Sequence, residues 1–322
     1  MSGAARRCAA RGRAQVPASI LVATDFSRNA GQAAARARAL ADQLGLDAVR
    51  LLHVVEAPWL GALQQWLRLP DASRQGLFEE ARRSMDRLVA SLGAHSGRRV
   101  AAEVAIGTLL DTVIERAACA DLLVIGARGQ HPVRDFALGT TGERLLRKRR
   151  GPMLVVRRAP TRPYRRVLAP VDFSVHAPQV LAQAAAIAPS AQIEVLHAFE
   201  LPFESKLRFA GVSSAAIHDL RQQARAQAVG RLAEFVATSG IDAARVSRRI
   251  EHGYAPRVIV DVARQSRADL IVIGKHGESI AEDLLLGSAT LHVLGEARCD
   301  VLVVSARPPQ RAQRQSSNGR PT

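Results

Sequence analysis

The sequence predicts an α/β protein built from two open parallel sheets in tandem, five strands in each, with helices on both faces. Three observations carry this. Short apolar runs alternate along the chain with stretches of helical periodicity. The runs are continuous instead of alternating apolar with polar, as expected of parallel strands covered on both sides. The whole pattern also occurs twice: DLLVIGARG (Asp121 to Gly129) is followed after nine residues by Gly139-Thr140, and DLIVIGKHG (Asp269 to Gly277) after nine by Gly287-Ser288. Gly126 and Gly274 lie 148 positions apart, as do Gly139 and Gly287, so G-x-x-G-x9-G-[ST] is present twice in one register.

The elements follow in order. Residues 1–16 are rich in Arg, Ala and Gly and lack an apolar leader, so they read as a disordered basic arm. The first domain spans 17–158. Ile20 to Ala23 is a buried strand ending at Thr24-Asp25-Phe26-Ser27, and Asn29 to Leu44 places Ala30, Ala33, Ala37, Leu40 and Leu44 on one helical face. Val49 to Val55 is a second strand, Asp71 to Leu92 a helix, Arg99 to Ala105 a strand, and Thr108 to Cys119 a helix. Leu122 to Ile125 and Met153 to Val156 complete the sheet. The stretch from Arg157 to Arg165 has two prolines and little to bury, which places a linker at 159–165. The second domain, 166–306, repeats the unit through RVLAPVDFS (Arg166 to Ser174), VLHAFE (Val195 to Glu200), DLIVIG (Asp269 to Gly274) and VLVV (Val301 to Val304). One long helix is expected over Glu204 to Ser239, with Ile217, Leu220, Ala224, Ala228, Leu232 and Phe235 on one face. Residues 307–322 read as a disordered tail.

Composition excludes several functions. With 322 residues and 48% hydrophobic content the chain can fill two ordinary cores. No apolar run approaches the length of a membrane span. The three cysteines, Cys8, Cys119 and Cys299, lack metal-ligand spacing, which points to a reducing, cytoplasmic setting. Net charge is +16, nearly all of it from arginine, since lysine stands only at Lys148, Lys206 and Lys275. The arginines are scattered among alanines without interleaved aromatics, so specific nucleic-acid recognition is not expected.

The repeated glycine motif suits a phosphate. Glycine lets a backbone approach an anion closely and adopt φ > 0 where a turn needs it. A Gly-Thr or Gly-Ser pair opening a helix offers free N–H groups, a hydroxyl cap and the positive end of the helix dipole. A plain turn and N-cap is the competing reading. Asp25 and Asp172 each follow the first strand of their half, at the end of a parallel sheet where ligands collect. There a carboxylate can meet ribose hydroxyls or an adenine amino group, or can simply hold the N–H of Ser27 or Ser174. His53 and His197 lie inside apolar strands and read as structural, and Trp59, Leu63, Trp66 and Leu67 as core packing.

ATDFS with PVDFS, LLHVVE with VLHAFE, and GARG…GT with GKHG…GS together resemble the universal stress protein family over almost the whole chain, as two tandem domains. That resemblance implies Rossmann-like domains of the ATP-binding subgroup. Gly126, Gly129, Gly139 and Thr140 would take phosphates and ribose in the first half, and Gly274, Gly277, Gly287 and Ser288 in the second. Asp25 and Asp172 would face the nucleoside, with main chain near Val54 and Ala198 close to the base. Arg128, Arg134 and Lys275 add positive charge to the loops. Because Arg134 is matched by Glu282, beside Asp283 and near Glu278, the first half is expected to bind ATP, with or without Mg²⁺, more tightly. The function implied is a regulatory stress-response module without dedicated catalysis. The alternatives are a nucleotide-free scaffold or a slow ATPase. The resemblance also implies pairing of domains through their last strands, either in a homodimer or between Val155-Val156 and Val303-Val304 of one chain.

Overall fold

In the computed structural model of the chain, the structure describes residues 16–56, 71–93, 99–129, 139–276 and 286–305. The first half runs β1 (Ile20–Ala23), α1 (Arg28–Leu44), β2 (Ala48–Glu56), α2 (Asp71–Gly93), β3 (Arg99–Gly107), α3 (Leu109–Ala118), β4 (Leu122–Gly126), α4 (Thr140–Lys148) and β5 (Met153–Val156). The second runs β6 (Arg166–Pro170), α5 (Ala177–Ile187), β7 (Gln192–Phe199), α6 (Glu204–Phe209), α7 (Ser214–Ala237), β8 (Val246–His252), α8 (Ala255–Gln265), β9 (Leu270–Gly274), α9 (Ser288–Glu296) and β10 (Asp300–Val304).

The strands join into one ten-stranded sheet of order β3-β2-β1-β4-β5-β10-β9-β6-β7-β8. Every neighbouring pair is parallel except β5 and β10, which run antiparallel with Leu302 opposite Leu154. The expected intramolecular pairing of last strands is therefore present. Met153 to Val156 and Val301 to Val303 are wholly buried, and alone each half would leave such an apolar strand on an open edge. Antiparallel pairing also turns the carboxyl ends of the two sets of strands toward opposite edges of the sheet.

Successive strand residues point to opposite faces, and each face has its own core. One core holds Ile20 and Val22, Ala33 and Leu40 of α1, Met85 of α2, Leu181 and Ile187 of α5 and Leu232 of α7. The core of the other face holds Leu21, Val113 of α3, Leu145 of α4, Ile259 of α8 and Val293 of α9. The alanine face of α1 lets it lie tightly on the sheet. A Cβ on Gly126 would stand 2.7 Å from the carbonyl carbon of Asn29.

Three departures from the sequence reading have physical causes. The helix expected over Glu204 to Ser239 is two helices, broken at Gly211 (φ +79°), and α7 restarts where Ser213 Oγ accepts the N–H of Ala216. Ile217, Ala228 and Leu232 are buried, whereas Leu220 is exposed. β8 was not read because it is a polar edge strand, VSRRIEH, paired on one side only to β7. The linker does bury something: Tyr164 is 2% exposed and donates its hydroxyl to Asp300 Oδ2 at 2.7 Å. Arg36 Nε donates to the same oxygen at 3.1 Å, and the Arg36 guanidinium lies 4.3 Å over the tyrosine ring. Asp300 Oδ1 accepts the N–H groups of Arg157 and Arg158. One buried carboxylate thus gathers α1, the linker and β10.

Candidate functional site

A cleft opens at the carboxyl ends of β6, β7 and β9, with an empty volume of about 800 Å³, solvent at its mouth included. Asp172, Ala198, Gly274, Gly287 and Ser288, five of the residues singled out in the second half, line it together. Fold topology does this. The first and fourth strands of the half are neighbours, and the loop after each ends on the same side of the sheet.

Asp172 opens a tight turn. Its Oδ1 accepts the N–H of Ser174 at 3.0 Å while Phe173 takes a left-handed φ of 59°. The first half repeats this, with Asp25 Oδ1 accepting from Ser27 at 3.0 Å and Phe26 at φ 61°. The local turn weighed from sequence is real in both halves. It uses only Oδ1 of Asp172, and no donor among the described residues reaches Oδ2. Each phenylalanine ring lies 4.3 Å from a histidine, Phe26 on His53 and Phe173 on His197. His53 Nδ1 donates to Thr24 O at 2.8 Å and His197 Nδ1 to Val171 O at 2.9 Å. These histidines brace the turns, as their sequence setting suggested.

Burial holds both imidazoles below their usual pKa, against the opposing pull of the backbone hydrogen bonds. A depressed folded pKa means the unfolded chain takes up protons first, so this stability is complete above the free value of 6.5 and is lost as pH falls through the lower folded values. Unfolding temperature should drop between pH 7 and pH 5. His53→Asn/His197→Asn, which keeps a donor near the Nδ1 position, should flatten that profile in calorimetric scans.

The glycine-loop side is built alike in both halves. Gly139 and Gly287 are the N-caps of α4 and α9, at φ −55° and −60°, with no side-chain capping bond. Thr140 and Ser288 are therefore the first helical residues and not the caps the sequence suggested. Each cap is pinned to the loop after the fourth strand, through Gly139 N–H to Ala127 O and Gly287 N–H to Lys275 O. In the first half a Cβ on Gly129 would come within 2.8 Å of Asp25 Oδ2, so the loop and the carboxylate touch. Among the described residues, a Cβ on Gly139 would meet nothing nearer than Gly129 N at 4.0 Å. Val54 is buried in β2, and Arg128 is half-buried beside Gly129. Arg134, Gly277, Glu278, Glu282, Asp283 and the Trp59, Leu63, Trp66 and Leu67 group lie outside the described residues, as does the predicted asymmetry that rests on the loop charges.

Lys275 departs from expectation. It is 3% exposed, and its Nζ donates to Arg147 O at 2.7 Å in the last turn of α4, in the other half. It does not line the cleft. A cation on a helix's carbonyl end is favourable, so the side chain ties the second glycine loop to the first half. Lys275→Met should cost about 1–3 kcal/mol by leaving that carbonyl unmatched, measured by denaturant titration, while ligand affinity of the second cleft stays within about threefold, ~0.7 kcal/mol.

His276, read from sequence with Lys275 as positive charge on the second loop, lines the cleft, and so do His176, Val180, Ile259 and Thr290, which sequence reasoning missed. Thr290 Oγ1 donates to Gly274 O at 2.7 Å and fastens the first turn of α9 to the end of β9. Its counterpart in the first half is Gly142, so comparing the two repeats could have flagged it. The apolar members come from helix faces, where nothing in the pattern separates a cleft wall from core.

The sequence profile of the universal stress protein family matches residues 18–157 and again 163–305. A universal stress protein of Mycolicibacterium smegmatis is 26% identical over 89% of this chain and 97% of its own length. Universal stress protein A homolog 1 of Coxiella burnetii is 32% identical over 44% of this chain and 96% of that protein. The crystal structure of a universal stress protein from Archaeoglobus fulgidus aligns with a TM-score of 0.64 at 19% identity, over 91% of this chain and 97% of the other. The chain belongs to the universal stress protein family, as a tandem of two such domains.

Proposed function

We propose that this universal stress protein binds ATP in the clefts of its two halves, as a regulatory module with no dedicated catalysis. The observation that carries the reading is the mixed lining of the second cleft. One set of lining residues is apolar, Val180, Leu196 and Ile259 with Ala198, and suits a flat base. Another part of the lining is the uncapped start of α9 at Gly287-Ser288, where free N–H groups and the helix dipole favour an anion. Asp172 stands with them in the lining, with Oδ2 open to a ribose hydroxyl or a base amino group. In the first half, contact between Asp25 and Gly129 beside the Gly139 cap supports the same arrangement. Gly126 and Gly274 shape the strand ends, and Thr140 and Ser288 add hydroxyls next to the phosphates. Mg²⁺ would be carried in by the nucleotide. Among the described residues no three His, Cys, Asp or Glu side chains cluster as a metal site. Free thiols at Cys119 and Cys299 suit a reducing cytoplasm.

The test is mass spectrometry of small molecules released from freshly purified protein, with calorimetric titration of ATP. Released adenine nucleotide and saturable binding are expected, and absence of both would favour the nucleotide-free scaffold. Turnover of ATP with added Mg²⁺ at a rate above that of the free nucleotide would favour the slow ATPase.

A further inference from the structure

A second cavity, about 1170 Å³ with solvent at its mouth included, lies where α1, the linker, α8 and α9 meet, and shares no lining residue with the nucleotide cleft. Six arginines line it: Arg36 of α1, Arg158 and Arg162 of the linker, Arg264 and Arg267 at the end of α8, and Arg298 ahead of β10. Its carboxylates are Asp269, Glu296 and Asp300. Asp300 is buried and already taken by Arg36, Tyr164 and two backbone N–H groups. The oxygens of Asp269 accept the N–H groups of Arg165 and Arg166 at 2.9 and 3.1 Å. Arg264 pairs with Asp261 at 3.0 Å. Arg158, Arg162, Arg267 and Arg298 are left with no ion pair among the described residues, and Glu296 is the one lining carboxylate that accepts no hydrogen bond from them.

Four exposed guanidinium groups gathered around one cavity repel one another and raise the positive potential at its mouth. Arg267 sharpens the point. Its φ of 51° puts it in the left-handed region that glycine normally supplies at a helix end, so an arginine is held there against backbone strain. Guanidinium forks match phosphate oxygens two at a time, and one monovalent anion would neutralise only a fraction of the wall. The arginines ring a cavity and do not follow a track with stacking aromatics, as a single-stranded nucleic acid would need.

We propose that this cavity binds a small multiply charged anion of the polyphosphate class. Because its arginines come from α1 and the linker on one side and from α8 and the approach to β10 on the other, the anion ties the two halves together. The site is independent of the nucleotide reading.

The test titrates tripolyphosphate into the full chain by calorimetry at fixed ionic strength. One saturable site is expected that survives Gly139→Val/Gly287→Val, which blocks the nucleotide loops. Arg158→Gln/Arg162→Gln/Arg267→Gly/Arg298→Gln should weaken it by about tenfold or more. That variant leaves the buried Arg36, Tyr164 and Asp300 in place, and glycine eases the backbone at 267. The charge-matched Arg82→Gln/Arg225→Gln/Arg248→Gln/Arg257→Gln should stay within about twofold. The proposal is overturned by no saturable heat with wild type, by equal weakening in the charge-matched variant, or by loss of the site in the glycine variant. Tighter binding of a short single-stranded oligonucleotide through the same four arginines would also overturn it, in favour of nucleic acid.

Discussion

Asp300→Ala should destabilise the protein by about 3–5 kcal/mol, the usual cost of removing one partner of a buried ion pair. Asp300 is 2% exposed and its partner Arg36 is 6% exposed. Without the carboxylate, the Arg36 guanidinium keeps its bond to Arg162 O but loses its counter-charge. The Tyr164 hydroxyl loses its acceptor at the same time, and the N–H groups of Arg157 and Arg158 lose theirs. Adding Arg36→Met to Asp300→Ala should recover about 1–2 kcal/mol, because the stranded charge is then gone and a long apolar side chain fills its place. Denaturant titration of the two variants beside wild type gives both numbers. A loss below about 1 kcal/mol in Asp300→Ala would mean water reaches the cluster, and the linker would then be no more than a tether.

That cluster also marks where sequence reasoning ends. The strands and helices of the first half were legible because each is a local pattern, an apolar run or an alanine stripe. The duplication made the glycine loops and the Asp25 and Asp172 turns legible as one design. Tyr164 is 136 residues from Asp300, and Lys275 is 128 from the carbonyl it reaches, so neither partner is visible in any local window. Lys275 looked like a phosphate ligand because it follows Gly274. Only the antiparallel join of β5 to β10 brings the end of α4 to it. Polar β8 was missed for the opposite reason: an edge strand needs hydrogen bonds from one neighbour and little hydrophobicity of its own.

The glycines themselves were read with the wrong emphasis, and the correction leads to the second large effect. None of Gly126, Gly129, Gly139, Gly274 or Gly287 has a positive φ. Gly126 is needed because a Cβ would strike the first turn of α1, and Gly129 because it would strike Asp25. Gly139 has neither reason. Its backbone suits any residue, and among the described residues nothing lies nearer than 4.0 Å to where a Cβ would stand, a gap that suits the close backbone approach expected of a ligand under the ATP reading. Gly287 caps α9 with the same geometry. Valine at either position should therefore leave the fold within about 1 kcal/mol of wild type while placing a branched side chain over the first N–H groups of the helix. Gly139→Val/Gly287→Val should weaken ATP binding by about 100-fold, ~2.7 kcal/mol, and each single variant should remove one of two calorimetric sites. Unchanged affinity in the double variant, with the fold intact by circular dichroism, would show that the open helix ends do not hold the phosphates. A loss of both sites in one single variant would instead mean that the Lys275 tie between the second glycine loop and α4 couples the two clefts.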